Sequence, residues 1–174
     1  GNDTGGLGIG QFGCSIDKSE FVTCTSPFTS SKSLKDGNHT FRVLSEDKVG
    51  NKDPSPASFN WTVDIAAPST KIDSATDGNK STITNDGNTK STSMTFAFSG
   101  NDTGGGVGID HFGCSTDKSD FVTCTSPYKI PQSLKDGIHA FSVISEDKVG
   151  NKDPTPASVS WTIQTVAPST RIDW

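Results

Sequence analysis

Four cysteines form two pairs, Cys14 with Cys24 and Cys114 with Cys124. Each pair flanks a short turn centred on Ser19 or Ser119, so an antiparallel hairpin would set the two thiols across the ladder within disulfide reach. Oxidation would close one short loop per pair and contribute about 2–3 kcal/mol on a chain-entropy argument. Other chemistries fit less well. Zinc needs four ligands and each pair offers two thiols; a redox dithiol usually reads Cys-x-x-Cys. Two reduced, buried thiols are the remaining alternative. Four cysteines with none left over point to an oxidising, extracytoplasmic setting.

Oxygen ligands recur in the same way. Asp47, Asn51 and Asp53 reappear as Asp147, Asn151 and Asp153, and Asp3 and Asp102 lie in glycine-rich loops. In a sandwich these loops would emerge at one end, where they could gather Ca²⁺ at a junction between repeats. The commoner role for such residues is to cap turns by bonding nearby backbone, and no EF-hand spacing is present. Sequons for N-linked glycan occur at Asn2, Asn38, Asn60, Asn79 and Asn101, all in positions expected to face solvent. Asn38 and Asn60 are replaced by Ile138 and Ser160 one repeat later, so decoration would be uneven. His39 and His139 open equivalent strands and read as structural imidazoles at the core edge. With no Gly-x-Ser-x-Gly, P-loop or His-Glu-x-x-His motif, and carboxylates confined to turns, the chain is read as a non-enzyme that requires no cofactor.

The elements that must position these groups come in near-copies. Gly6–Asp73 and Gly106–Asp173 align without a gap at an offset of 100, and 46 of the 68 positions are identical. The expected organisation is a repeat over residues 1–67 that lacks its first strands, a complete repeat over 68–167, and the start of another over 168–174. The missing strands would come from preceding sequence or from a neighbouring subunit. The chain opens on glycine without an initiator Met or signal peptide and reads as mature or excised sequence.

Within one repeat, short alternating runs bounded by Gly, Pro, Asn and Asp predict strands over 91–99, 108–115, 121–125, 139–145 and 159–163. The candidate core comprises Met94, Phe96, Phe98, Ile109, Phe112, Phe121, Leu134, Phe141, Val143, Val159, Trp161 and Ile163. The fold class is therefore all-β: tandem antiparallel Ig-like β-sandwiches of about 100 residues per repeat. A hydrophobic fraction of 30% with 18 Gly and 9 Pro is lean, and no apolar run is long enough to span a membrane. The net charge of −5 carries no basic patch, which argues against nucleic acid.

Five stretches together resemble a known pattern: Phe12-Gly13-Cys14-Ser15-x-Asp17, Phe21-x-x-Cys24-Thr25-Ser26-Pro27, Leu34-x-Asp36-Gly37-x-His39-x-Phe41-x-Val43, Asp47-x-x-Gly50-Asn51-x-Asp53-Pro54-x-Pro56-Ala57 and Trp61-Thr62-Val63. The pattern is that of the tandem Ig-like (immunoglobulin/fibronectin-III-like) repeats of long bacterial and archaeal cell-surface or secreted proteins, and both copies carry it nearly end to end. Gly13 and Gly113 depart from it, since an acidic residue is frequent there. The resemblance implies a β-sandwich, export, and a role as structural unit of a surface stalk, adhesin or fibril. Its partners would be neighbouring copies of the repeat, in one chain or by strand exchange into a filament. The alternative is a binding module that recognises a glycan or surface partner through its loops, which would need Trp61, Trp161 or Trp174 exposed. An accessory role beside a catalytic domain elsewhere is a third reading.

Overall fold

The computed structural model describes residues 6–104 and 106–172, and every regular element among them is a β-strand. The chain divides into two units, Gly1–Ile65 with Gly104–Gly106, and Ala66–Thr103 with Val107–Trp174. The first unit is one antiparallel sheet of β1 (Ile9–Ile16), β2 (Val22–Cys24), β3 (Gly37–Asp47) and β4 (Ala57–Val63), in the order β2-β1-β3-β4.

The second unit has two layers. It is built from β5 (Ser69–Asp77), β6 (Gly87–Thr89), β7 (Met94–Asn101), β8 (Ile109–Thr116), β9 (Val122–Cys124), β10 (Tyr128–Lys129), β11 (Gly137–Asp147) and β12 (Ala157–Ile163). One sheet runs β10-β7-β5, the other β6-β12-β11-β8-β9. Strands β8, β9, β11 and β12 repeat β1–β4. What the second unit adds is the layer β5, β7 and β10, and the short β6, which pairs in parallel with the edge of β12.

Period-two alternation makes β7 a comb. Met94, Phe96 and Phe98 all point inward and are buried. Phe96 stacks on Phe141 with ring centroids 4.0 Å apart and leans on Trp161 at 5.4 Å. Phe98 meets Phe112 edge-on at 5.1 Å. Phe141 and Val143 are 0% exposed and Trp161 1%. Burial of such side chains is worth about 1.5–3 kcal/mol each. Among the described residues, the first unit has no counterpart of this layer. Its Phe41, Val43 and Trp61 are only half-buried, and Phe59 is 66% exposed where Val159 is 8%.

Three expectations need correction. Phe121 is not core: it is 43% exposed and lies against Gly113 on β8, where an added Cβ would approach the Phe121 Cβ and the Ile144 Cγ1 to 3.3 Å each. That crowding also explains why glycine stands at 13 and 113; at Gly13 the same contacts, Leu44 and Phe21, close to 3.3 and 3.4 Å. The strand expected over 91–99 runs Met94–Asn101 instead, because the Ser91 hydroxyl donates to the Ser93 carbonyl and accepts from the amides of Gly78 and Ser93. Finally, Ala75, Ile83 and Ile130 belong to the core and were not anticipated.

Phe141→Ala is expected to cost the second unit about 3–5 kcal/mol, as for a fully packed ring. The equivalent Phe41→Ala should cost the first unit clearly less, since its ring is not enclosed. Denaturant unfolding followed by residue-resolved hydrogen exchange reads the two units separately.

Candidate functional site

The cysteines are bridged. Cys14–Cys24 and Cys114–Cys124 are disulfides with Cα atoms 5.8 Å apart. Their register differs from the expected one. Phe12 faces Cys24 and Cys14 faces Val22, with the same offset in the second unit, so each bridge runs diagonally across the ladder. The cause is the turn. Asp17 and Lys18 take φ of 52° and 62°, Ser19 N–H bonds the Ile16 carbonyl, and one further residue is taken up before pairing resumes.

Those turns also hold the histidines. His39 Nδ1 lies 2.6 Å from Asp17 Oδ2 and its Nε2 lies 2.7 Å from the Lys35 carbonyl. His139 repeats the arrangement with Asp117 and Lys135, both at 2.8 Å. Two acceptors call for two N–H donors, and so for an imidazolium. The Lys35 carbonyl first, then Asp17, raises the His39 pKa above the ordinary 6.5. Burial pulls His139 down, but the Lys135 carbonyl and Asp117 outweigh it and its pKa is also raised. The Thr40 amide, then His39, holds Asp17 below the usual 3.8. Each imidazole also lies over a tryptophan, Trp61 at 5.8 Å and Trp161 at 5.7 Å between ring centroids. These are structural staples between a turn and the start of a strand, as the sequence suggested.

The acidic loops cap their own backbone. Asp47 accepts from the amides of Val49 and Asn51 and from Asn51 Nδ2, and Asp147 does the same with Val149 and Asn151. The Asn51 side chain, then its amide, lowers the Asp47 pKa. At Asp147 burial opposes a lowering that the same bonds win. Asp53 and Asp153 cap Ser55 and Thr155. Asp102 Oδ2 accepts from Gly108 N–H, while its Oδ1 is buried without a hydrogen-bond partner. Carboxylate oxygens of Asp102 and Asp147 lie within 4.8 Å of each other, so these two loops of the second unit do meet.

Asn38, Asn60, Asn79 and Asn101 are exposed; Asn2, Asp3 and Trp174 lie outside the described residues. One arrangement escaped the sequence. On β3 and β4, Asn38 faces Thr62 and Thr40 faces Asn60, and each threonine hydroxyl donates to the opposite asparagine at 2.7 Å. The two sequons interlock, a relation set by register and invisible in either tripeptide.

Among the described residues, one face of β1, β3 and β4 is open to solvent. Phe12, Phe28, Phe41, Val43, Phe59 and Trp61 line a cleft of about 870 Å³. Phe28 stacks on Phe41 at 5.1 Å, and Phe59 on Trp61 at 6.1 Å. Trp161, by contrast, is enclosed and unavailable to a ligand.

The two packed sheets, antiparallel but for the edge pairing of β6, make the second unit an all-β sandwich. No family model matches the chain and no curated protein does. Among solved structures it is similar to the fibronectin(III)-like modules of Clostridium thermocellum CbhA, at 17% identity and a TM-score of 0.45, over 95% of this chain and 84% of that one.

The raised histidine pKa values set a pH dependence. A group whose folded pKa exceeds 6.5 stabilises fully below that value and loses its contribution as pH rises through the folded pKa. The thermal midpoint is therefore expected to fall as pH rises above 6.5. The double variant His39→Gln, His139→Gln should flatten that slope in a calorimetric pH series.

Proposed function

We propose that this chain is a structural segment of an extracellular stalk, adhesin or fibril, in which Ig-like units follow one another and carry N-linked glycan on exposed sequons. The observation that carries the reading is repetition joined to stapling. Two units share most of their residues, and each holds its hairpin with a disulfide suited to an oxidising compartment. The residues best able to do acid–base chemistry, His39 and His139, are bound into turn-to-strand contacts. Among the described residues no helix is long and apolar enough to cross a membrane. Recognition of a glycan through tryptophan is the second reading; among the described residues it would fall to Trp61, since Trp161 is buried.

Immunogold labelling of intact source cells with antibody to the second unit should decorate surface fibres at repeated intervals. Label confined to the cell interior would overturn the proposal.

Calcium enters this reading at one place in the second unit, where the unpartnered Asp102 Oδ1 stands near the Asp147 carboxylate. Millimolar Ca²⁺ should raise the melting midpoint over an EDTA control, and Asp102→Asn should remove the rise.

A further inference from the structure

We infer, on the reading of this chain as N-glycosylated, that Asn38 accepts glycan only while the chain is unfolded. Transfer to it has to precede the pairing of β3 with β4, and the fold then displays the product. Asn79, by contrast, stays open to transfer in the folded chain.

The chemistry sets what an acceptor must offer. In N-glycosyl transfer the asparagine Nδ2 attacks the anomeric carbon of a lipid-linked sugar diphosphate. The carbon–nitrogen bond forms, and the carbon–oxygen bond to phosphate breaks with its electron pair left on the phosphate. Nδ2 gives up one proton, and nothing is oxidised or reduced. The sequon also demands Ser or Thr two places on, so that hydroxyl is read along with the amide. An enzyme must therefore take hold of three consecutive residues at once.

In Asn38-His39-Thr40 those three residues are already held. The Thr40 hydroxyl donates to Asn60 Oδ1 at 2.7 Å. The Thr40 amide donates to Asp17 Oδ1 and the Asp17 amide donates to the Thr40 carbonyl, both at 3.0 Å. Between them His39 is 8% exposed, bound at its two ring nitrogens by Asp17 and the Lys35 carbonyl. Across the ladder, 38–40 pair with Thr62, Trp61 and Asn60. Lifting the tripeptide into an enzyme would break the ladder, the Asp17 clamp and the histidine staple together. The clamp is also part of a two-layered unit. Ala140 and Asp117 exchange the same two bonds in the second unit, at 2.8 and 2.9 Å.

The product meets no such obstacle. Asn38 Oδ1 accepts from the Thr62 hydroxyl, which occupies the oxygen and not Nδ2, the atom that takes the sugar. The side chain is exposed. Its counterpart in the second unit, Ile138, is 80% exposed beneath no second layer, so the position stays open in a complete sandwich. Asn79-Lys80-Ser81 differs in being a turn, with Lys80 at a φ of 64°. Asp77 holds that turn through the amides of Asn79 and Ser81, and both side chains are exposed.

One membrane preparation carrying oligosaccharyltransferase and its lipid-linked donor serves two arms of a test. In the first, the chain is translated into the membranes behind a cleavable signal peptide. In the second, the purified, disulfide-bonded 174-residue chain is added to the same membranes after solubilisation in detergent. Mass spectrometry of proteolytic fragments reads occupancy at each site, and the folded value is divided by the nascent one. That ratio is expected to be at least about tenfold lower at Asn38 than at Asn79, since several hydrogen bonds must break at the first and none at the second. Asp17→Ala should raise the Asn38 ratio and leave that of Asn79 unchanged. Equal ratios at the two sites in the unsubstituted chain would overturn the inference. So would an Asn38 left bare in the nascent arm while Asn79 is modified, or an Asn38 ratio that Asp17→Ala does not move. A chain modified at no sequon in either arm would remove the glycan reading itself, and this order of events with it.

Discussion

A β-sheet with one apolar face has to bury that face against a second layer, and in this chain one contact governs how well it does so. Phe96 lies flat on Phe141 at 4.0 Å, and around that stack Met94, Trp161 and Val143 become fully enclosed and Phe98 is buried. The remaining order follows from it. With β7 seated, the backbone at 128–129 finds a partner and becomes β10, and Ile130 and Leu134 anchor the next loop through amides that reach β7 and the chain just before it. Sandwich formation is thus cooperative in a literal sense, since one strand supplies both the apolar cover and the hydrogen-bond acceptors.

The two units act as a natural control on that statement. With 46 of 68 aligned positions identical, local propensity is nearly constant between them. What is local is also structurally constant. The turn at Asp17 matches that at Asp117, the disulfides match, and the Asp47 and Asp147 capping bonds agree to the tenth of an ångström. What differs depends on a distant strand. Ser145 is buried and takes two bonds from or to the Thr70 hydroxyl, whereas Ser45 is only half-buried. Asp153 draws support from Thr70, which with Thr155 lowers its pKa against burial. Identical residues thus acquire different environments solely through the presence of a second sheet.

That division also describes how much the sequence disclosed. Alternation placed Phe141, Val143, Val159, Trp161 and Ile163 on the inner face correctly, because strands with one buried face write their period into the chain. The cysteine pairing was legible for the same local reason. The register of that pairing was not, since it depends on two residues at positive φ that any Asp-Lys sequence could have avoided. β6 and β10 were missed because each is two or three residues long and exists only through a partner far away in sequence. Phe121 misled because an aromatic after a turn reads as core, when the vacancy left by Gly113 draws it to the opposite side.

The parallel pairing of β6 with β12 carries a mechanical meaning. Strands that run the same way beside each other bring the chain in and take it out in one sense. Once β5 has given way, a pull on the two ends of that pair would load the ladder of Gly87–Thr89 against Trp161–Ile163 in shear, with its bonds sharing the load rather than peeling singly. The bridge between Cys114 and Cys124, separated by 10 positions, meanwhile withholds the enclosed hairpin from extension. At about 3.3–3.6 Å per residue, that shortens the length each unit can release under tension by some tens of ångströms. A module built this way would yield late and pay out little slack.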